Sequence, residues 1–385
     1  MRLKKRNLTL LVALTFSGCA HHGVNQSQDI KSELLGSSEV RSDIDELKVV
    51  LKRAYSGRRF LPDHQFDSLL RGLDSINLSQ SVRTLCEEIA GEFKNVSDNH
   101  LKAKLQRATC LPDPKKIELI GENEAKHSPV NWLVKGISRS EGNASLIAIK
   151  GFPNAESPAW NGFIEAVNTQ VAVSDFVIID LRGNGGGDDH WGFELSNILA
   201  GYRSKTPYSM QWKSITPESF LIQAKLYETL ANQSRERGEE TKYLDDLKES
   251  YLAKARRPHT NSDWESAPWS LNDTDHKPSR NTQKPIYILI DGGCGSSCES
   301  TVDAFEYNTS AVTVGQPTAG YIHFGNIGYH VLSRSGITIQ IPTTYNEYRD
   351  HRFIEKTGIQ PKVIVKDGQD AEAMAWQLYR SRLEH

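Results

Sequence analysis

Two short apolar runs, each emptying into a glycine-rich turn, limit what this chain can fold into. The first is Asp175-Phe-Val-Ile-Ile-Asp180, followed by Leu181-Arg-Gly-Asn-Gly-Gly-Gly187. The second is Pro285-Ile-Tyr-Ile-Leu-Ile290, followed by Asp291-Gly-Gly-Cys-Gly-Ser-Ser-Cys-Glu299. Runs this short and wholly apolar are the pattern of strands buried on both faces, as in an α/β sheet covered by helices. Past the second turn, Val302 and Phe305 repeat at helical spacing, so strand, turn and helix place Ser296 at a helix's amino end. There the unpaired backbone N–H groups and the helix dipole favour negative charge, which a serine nucleophile's oxyanion requires. A tight turn of small residues has the same composition, so the rest of the chain decides.

At 385 residues the chain can build one large core or two domains. A formal charge of −2 leaves no basic excess for a nucleic-acid partner. No internal apolar run is long enough to span a bilayer. The amino end carries Arg2, Lys4, Lys5 and Arg6, then the apolar Leu8–Phe16, which reads as an export signal over residues 1–18. Phe16-Ser-Gly-Cys19 resembles a bacterial lipobox, which implies a lipidated Cys19 and an outer-membrane lipoprotein facing the periplasm. A plain cleaved signal, giving a soluble periplasmic or secreted protein, is the alternative. The remaining cysteines, Cys86, Cys110, Cys294 and Cys298, are even in number, as expected in an oxidising compartment. They allow three pairings, of which Cys86–Cys110 with Cys294–Cys298 is the local one. Zinc-ligand spacing is lacking, and no metal is expected.

Residues 19–40 read as a polar tether. A small helical unit follows over 41–110. Its first helix is expected after Ser42 as cap, with Ile44, Leu47 and Leu51 on one face. Further helices are expected over Phe66–Leu73 and Ser81–Phe93. The unit ends in the polar loop Asn95-Val-Ser-Asp-Asn-His100. Residues 111–385 alternate between strand and helix patterns. Strands are expected at Ile117–Ile120, Trp132–Val134, Ser145–Ile149, Ala311–Val314 and Val363–Val365, with a hairpin over Gly328–Ile341. A helical insertion over about 205–275 interrupts them, with two amphipathic helices or one bent at Gly238.

The order of these pieces resembles the carboxyl-terminal-processing (tail-specific) serine peptidases, a family that includes the tricorn proteases. Asp180-Leu-Arg-Gly-Asn-Gly-Gly-Gly187 resembles its glycine signature, and Ser296-Ser-Cys-Glu299 its nucleophile motif. Gly315-x-x-Thr318-x-Gly320 and Glu355-x-x-Gly358-Ile-x-Pro361 match two more. The commoner design in the family uses a lysine after the Thr-x-Gly motif, where this chain has Tyr321 and no Lys before Gly336. Asp98-Asn-His100 and Glu355 instead resemble the tricorn-like branch. The resemblance implies a crotonase/ClpP-like catalytic domain with Ser296 as nucleophile, His100 as base and Glu355 orienting it. Gly185 or Gly186, with Ser297, would supply the oxyanion donors. A serine can precede the histidine in tricorn; here it is Asn99. The stretch Leu101–Ser145 is too short for the PDZ domain many members carry, which leaves the helical insertion as the candidate for substrate selection.

The bottom-up chemistry agrees, since a serine hydroxyl needs a base near neutral pKa and that base needs a carboxylate. His323 is the fallback base, and Glu299 is read as capping its own helix. The expected reaction is hydrolysis of a peptide bond in a peptide or protein substrate through an acyl-enzyme, with no cofactor. The alternative is a non-catalytic ligand- or peptide-binding module on the same fold. Acyl-CoA chemistry on the crotonase architecture conflicts with the export signal and the serine motif.

Overall fold

The two apolar runs form the centre of a six-stranded sheet. The computed structural model describes residues 34–384 except 63, 107, 112–131, 154–157, 202–205, 237, 239, 258–261, 269–283 and 367. The export signal, Cys19, most of the tether and the strand expected at Ile117–Ile120 lie outside the described residues.

The amino-terminal part contains β1 (Leu34–Leu35), α1 (Ser37–Ala54), α2 (Gly57–Phe60), α3 (Gln65–Asp74), β2 (Gln80–Ser81) and α4 (Val82–Lys94). Helix α1 starts at Ser37 rather than after Ser42, because the Glu39 carboxylate accepts the Gly36 N–H at 2.8 Å and caps the chain there. Ser81 caps α4 by accepting the Thr84 N–H. Next come β3 (Lys102–Leu105), β4 (Ala108–Thr109), β5 (Trp132–Arg139), β6 (Gly142–Ile149), α5 (Pro158–Ala172), β7 (Phe176–Asp180) and α6 (Asp189–Ala200). The inserted region is β8 (Tyr208–Ser214), α7 (Pro217–Glu236), α8 (Lys242–Ala255) and β9 (Trp264–Pro268). The chain closes with β10 (Ile286–Ile290), α9 (Ser297–Asn308), β11 (Val312–Gly315), β12 (Phe324–Val331), β13 (Thr338–Tyr348), β14 (Val363–Ile364) and α10 (Ala371–Leu383).

The first sheet has the order β14-β11-β10-β7-β6-β5 and is parallel except for the antiparallel β5–β6 pair. Alternation explains why its central strands are apolar throughout. Ile286, Ile288 and Ile290 pack with α5 and α9 side chains on one face, while Tyr287 and Leu289 pack with α10 on the other. The second sheet has the order β4-β3-β13-β8-β9, with β12 paired along the opposite edge of β13. The insertion is therefore not purely helical. Its two helices are separate and bracketed by β8 and β9, which pair antiparallel and extend this sheet. Strand β8 is only partly buried, so it lacks the wholly apolar run that marks β7 and β10.

A third cluster joins the amino-terminal helices to the second sheet. Ile44, Leu47, Leu51, Leu85 and Ile89 share one core with Ile222 of α7 and with Ile339 and Ile341 of β13. The local cysteine pairing is the one formed, Cys86–Cys110 and Cys294–Cys298.

Candidate active site

Because β7 and β10 are adjacent and parallel, their carboxyl ends deliver the glycine loop and the serine turn to the same edge of the sheet. Asn184 locks the two together. Its carbonyl accepts the Gly295 N–H at 3.0 Å, its Oδ1 accepts the Gly186 N–H at 2.9 Å, and its amide donates to the Ile149 carbonyl. The Ser297 hydroxyl donates to the Gly187 carbonyl at 2.6 Å. One expectation needs correcting here. The Gly186 N–H is committed to Asn184, so it is not an open oxyanion donor. No bond among the described residues engages the Gly185 or Ser297 N–H, and the latter heads α9 without an intrahelical partner.

Ser296 is the N-cap of α9 and has φ 57° and ψ −122°. An L-residue adopts this conformation only when its surroundings impose it. Glu299 does much of the imposing. Its fully buried carboxylate accepts the N–H groups of Ser296 (3.1 Å), Tyr321 (2.7 Å) and Gly320 (2.8 Å), and the Thr318 hydroxyl at 2.5 Å. The cap expected of Glu299 is present, and the same side chain ties the nucleophile turn to the 318–321 loop.

That loop is zipped to the segment carrying Glu355. Thr318 and Ile359 exchange bonds, with the Thr318 N–H donating to the Ile359 carbonyl and the Ile359 N–H to the Thr318 hydroxyl. A Cβ on Gly320 would sit 2.5 Å from the Lys356 nitrogen, and one on Gly358 would sit 2.1 Å from the Thr318 oxygen. Two backbones this close require glycine at both positions. Glu355 is buried, and its oxygens accept the N–H groups of Asn99 (3.1 Å), Ile322 (3.2 Å) and His323 (3.0 Å). The Asn99 amide donates in turn to the Ala319 and Gly320 carbonyls. Asn99 thus pins the histidine loop onto the other two.

His100 stands at the end of that loop, 8% exposed, and one donor atom each of His100, Glu355 and Asp98 lie within 4.8 Å of one another. No hydrogen bond closes the pair: the His100 Nδ1 is buried without a partner among the described residues. The structure therefore brings His100 and Glu355 together. It links them to the serine turn through Tyr321, whose ring lies edge-on to the imidazole at 5.1 Å and would stand 3.2 Å from a Cβ on Gly295. Burial, then the nearby Lys102 charge, holds His100 at about 3, so the imidazole is neutral at neutral pH, as a base must be. Burial, then the Asp98 charge, raises Glu355 well above the usual carboxylate range. The three-residue cluster is the one grouping among the described residues whose spacing suits a metal. All of its bonded carboxylate oxygens face backbone N–H donors, a setting made for anions rather than for a cation.

His323 is not available as the fallback base. Its Nε2 accepts the Ile354 N–H at 2.9 Å, which leaves Nδ1 to donate to the Asn346 carbonyl at 3.1 Å. It is a structural histidine, held neutral by burial at about 4. Farther back, Asp303 accepts from Tyr208, Tyr348 and Arg352, and so anchors the segment leading to Glu355.

The profile of peptidase family S41 matches residues 143–365, more than half of the chain. The chain belongs to peptidase family S41. The matched span includes Ser296 and Glu355 but ends short of His100. A nisin-resistance protein from Lactococcus lactis subsp. lactis is 23% identical over 274 residues, 71% of this chain and 72% of its own. Among solved structures, a candidate peptidase from Parabacteroides merdae ATCC 43184 superposes with a TM-score of 0.56 at 14% identity, covering 89% of this chain and 96% of that one. Mature CPAF complexed with lactacystin gives 0.55 at 13%, covering 90% and 98%. At these identities the structures speak for the fold, which is the α/β, ClpP-like fold of S41 peptidases with added helices. Family membership supports a serine peptidase acting on a peptide or protein. No helix among the described residues is long and apolar enough to cross a membrane.

Proposed function

We propose that this chain is an exported serine peptidase in which Ser296 is the nucleophile, His100 its base and Glu355 the carboxylate behind the base. The observation that carries the reading is the bonding of the His100 loop to Glu355 and to the 318–321 loop, which Glu299 ties to Ser296. In this reading His100 takes the hydroxyl proton as Ser296 Oγ attacks the scissile carbonyl. The N–H groups of Ser297 and Gly185 meet the developing oxyanion. Collapse of the tetrahedral species expels the amine, which takes the proton from His100 and leaves an acyl-enzyme. Water, deprotonated by the same imidazole, then releases the acid. Cys19 would anchor the chain by lipid at the cell envelope, on the periplasmic face of an outer membrane.

A fluorophosphonate probe tests the chemistry without knowledge of the substrate. Wild type is expected to be labelled, Ser296→Ala to be blank, and His100→Ala to be slowed at least a hundredfold. Folded, oxidised protein that takes no label would favour the alternative of a binding module.

A further inference from the structure

Glu355 does not stand alone behind His100. Asp98 is 2% exposed, and its Oδ1 accepts the backbone N–H groups of His100 (2.7 Å) and Leu101 (3.3 Å). Its Oδ2 is buried and has no hydrogen-bond partner among the described residues. From the end of α1, the fully buried Tyr55 turns its hydroxyl toward Asp98. A Cβ on Gly57 would lie 2.2 Å from the Tyr55 ring, so that glycine makes room for it.

Asp98 and Glu355 thus present two buried carboxyl groups whose facing oxygens lie within 4.8 Å of each other, close enough that two negative charges there repel strongly. Backbone N–H donors favour an anion on each. The other titratable neighbours do not supply a counter-charge for two. Lys356 acts on both, but its ammonium donates outward to the Lys94 carbonyl. Glu299 adds further negative charge from α9, Tyr345 faces Glu355 from β13, and Lys102 acts on the imidazole. One bound proton resolves the conflict.

We propose that Asp98 is a positioning residue that acts through Glu355: the two carboxyl groups share one proton and present His100 with a single negative charge. This rests on the peptidase reading only for its consequence. A single charge suffices to stabilise the imidazolium formed when Ser296 gives up its proton, without the repulsion of two anions. Uptake of a second proton leaves the pair neutral and the imidazolium without its partner. Burial already lifts Asp98 to about 6, whereas His100 stays neutral throughout that range. The acid limb of activity therefore belongs to the pair and not to the imidazole.

Asp98→Asn keeps an oxygen for the His100 and Leu101 amides and removes the second carboxyl. Fluorophosphonate labelling rates of the full chain across the acid range should show the limb moving up by about one pH unit or more in the variant, because the Glu355 anion loses the carboxylic acid that shares its proton with it. A role confined to capping would leave the limb in place. Infrared difference spectra recorded above the acid limbs of wild type and variants supply a readout that needs no activity. A protonated-carboxyl C=O band present in wild type should vanish in Asp98→Asn and in Glu355→Gln. An unmoved limb or a missing band overturns the proposal. If wild type takes no label the peptidase reading falls, and the band alone still decides whether the proton is shared.

Discussion

One hydrogen in place of a methyl group at position 186 sets how near the glycine loop comes to Ser296. A Cβ there would lie 2.9 Å from the Ser296 Cβ and 3.0 Å from the Gly295 oxygen, at φ +104°. At Gly183 φ is also positive, +72°, but a Cβ would meet nothing within 4 Å. Both alanine variants carry a backbone cost of about 1 kcal/mol. Only Gly186→Ala must also push the serine turn, so its labelling rate should fall at least tenfold while that of Gly183→Ala stays within about twofold. Equal rates in the two would mean that the loop does not bear on Ser296. The sequence singles out residues held in short motifs: Ser296, Glu355 and His100 by resemblance, and Glu299 as a cap, of which the structure shows the Glu299 cap and the approach of His100 to Glu355. What could not be read were roles fixed by distant partners. Asn99 bonds to Glu355 across 256 positions, and Tyr55 lies in a helical region that showed no chemistry. His323 was misjudged for the same reason, because the bonds that neutralise it come from Ile354 and Asn346.

At the scale of elements, wholly apolar runs and helical periodicities were legible, since burial on two faces or one stripe writes itself into adjacent residues. The half-exposed β8 and β9 were not. Cysteine pairing was legible only as a set of options, and its outcome gives the two bridges separate tasks. Cys86–Cys110 closes a sequence separation of 24 between α4 and the end of β4. Loop entropy assigns it about 3.5 kcal/mol. Cys294–Cys298 spans a separation of 4 around Ser296, and the same reasoning gives about 2 kcal/mol. Converting the first pair to serine should lower the melting temperature more and leave labelling nearly intact. Converting the second should lower labelling more, because the turn that holds Ser296 at positive φ loses its clamp. Labelling unaffected by loss of the second bridge would show that Glu299 and Asn184 alone hold the turn.

The whole molecule distributes the candidate site across both sheets: Ser296 from the edge of the first, His100 from the loop just before β3 of the second, and Glu355 from the segment that returns from β13 to β14. The sequence suggests a boundary near residue 110, yet the hydrophobic core that fills residues 34–110 continues into Ile222, Leu332, Ile337, Ile339 and Ile341. Removing the amino-terminal helices would uncover those five side chains, each at most 2% exposed. At about 1.5–3 kcal/mol apiece the loss is comparable to the entire stability of a typical domain. It would also strip β13 of β3 and leave the Glu355 oxygen without its Asn99 donor. A fragment of residues 111–385 should therefore be insoluble or molten and unlabelled by the probe, and co-expression with residues 30–110 should restore both solubility and labelling. Circular dichroism melting reads the first part of this expectation. A cooperative transition in the isolated fragment would show that the parallel sheet sustains itself, and would recast the amino-terminal helices as a detachable donor of His100.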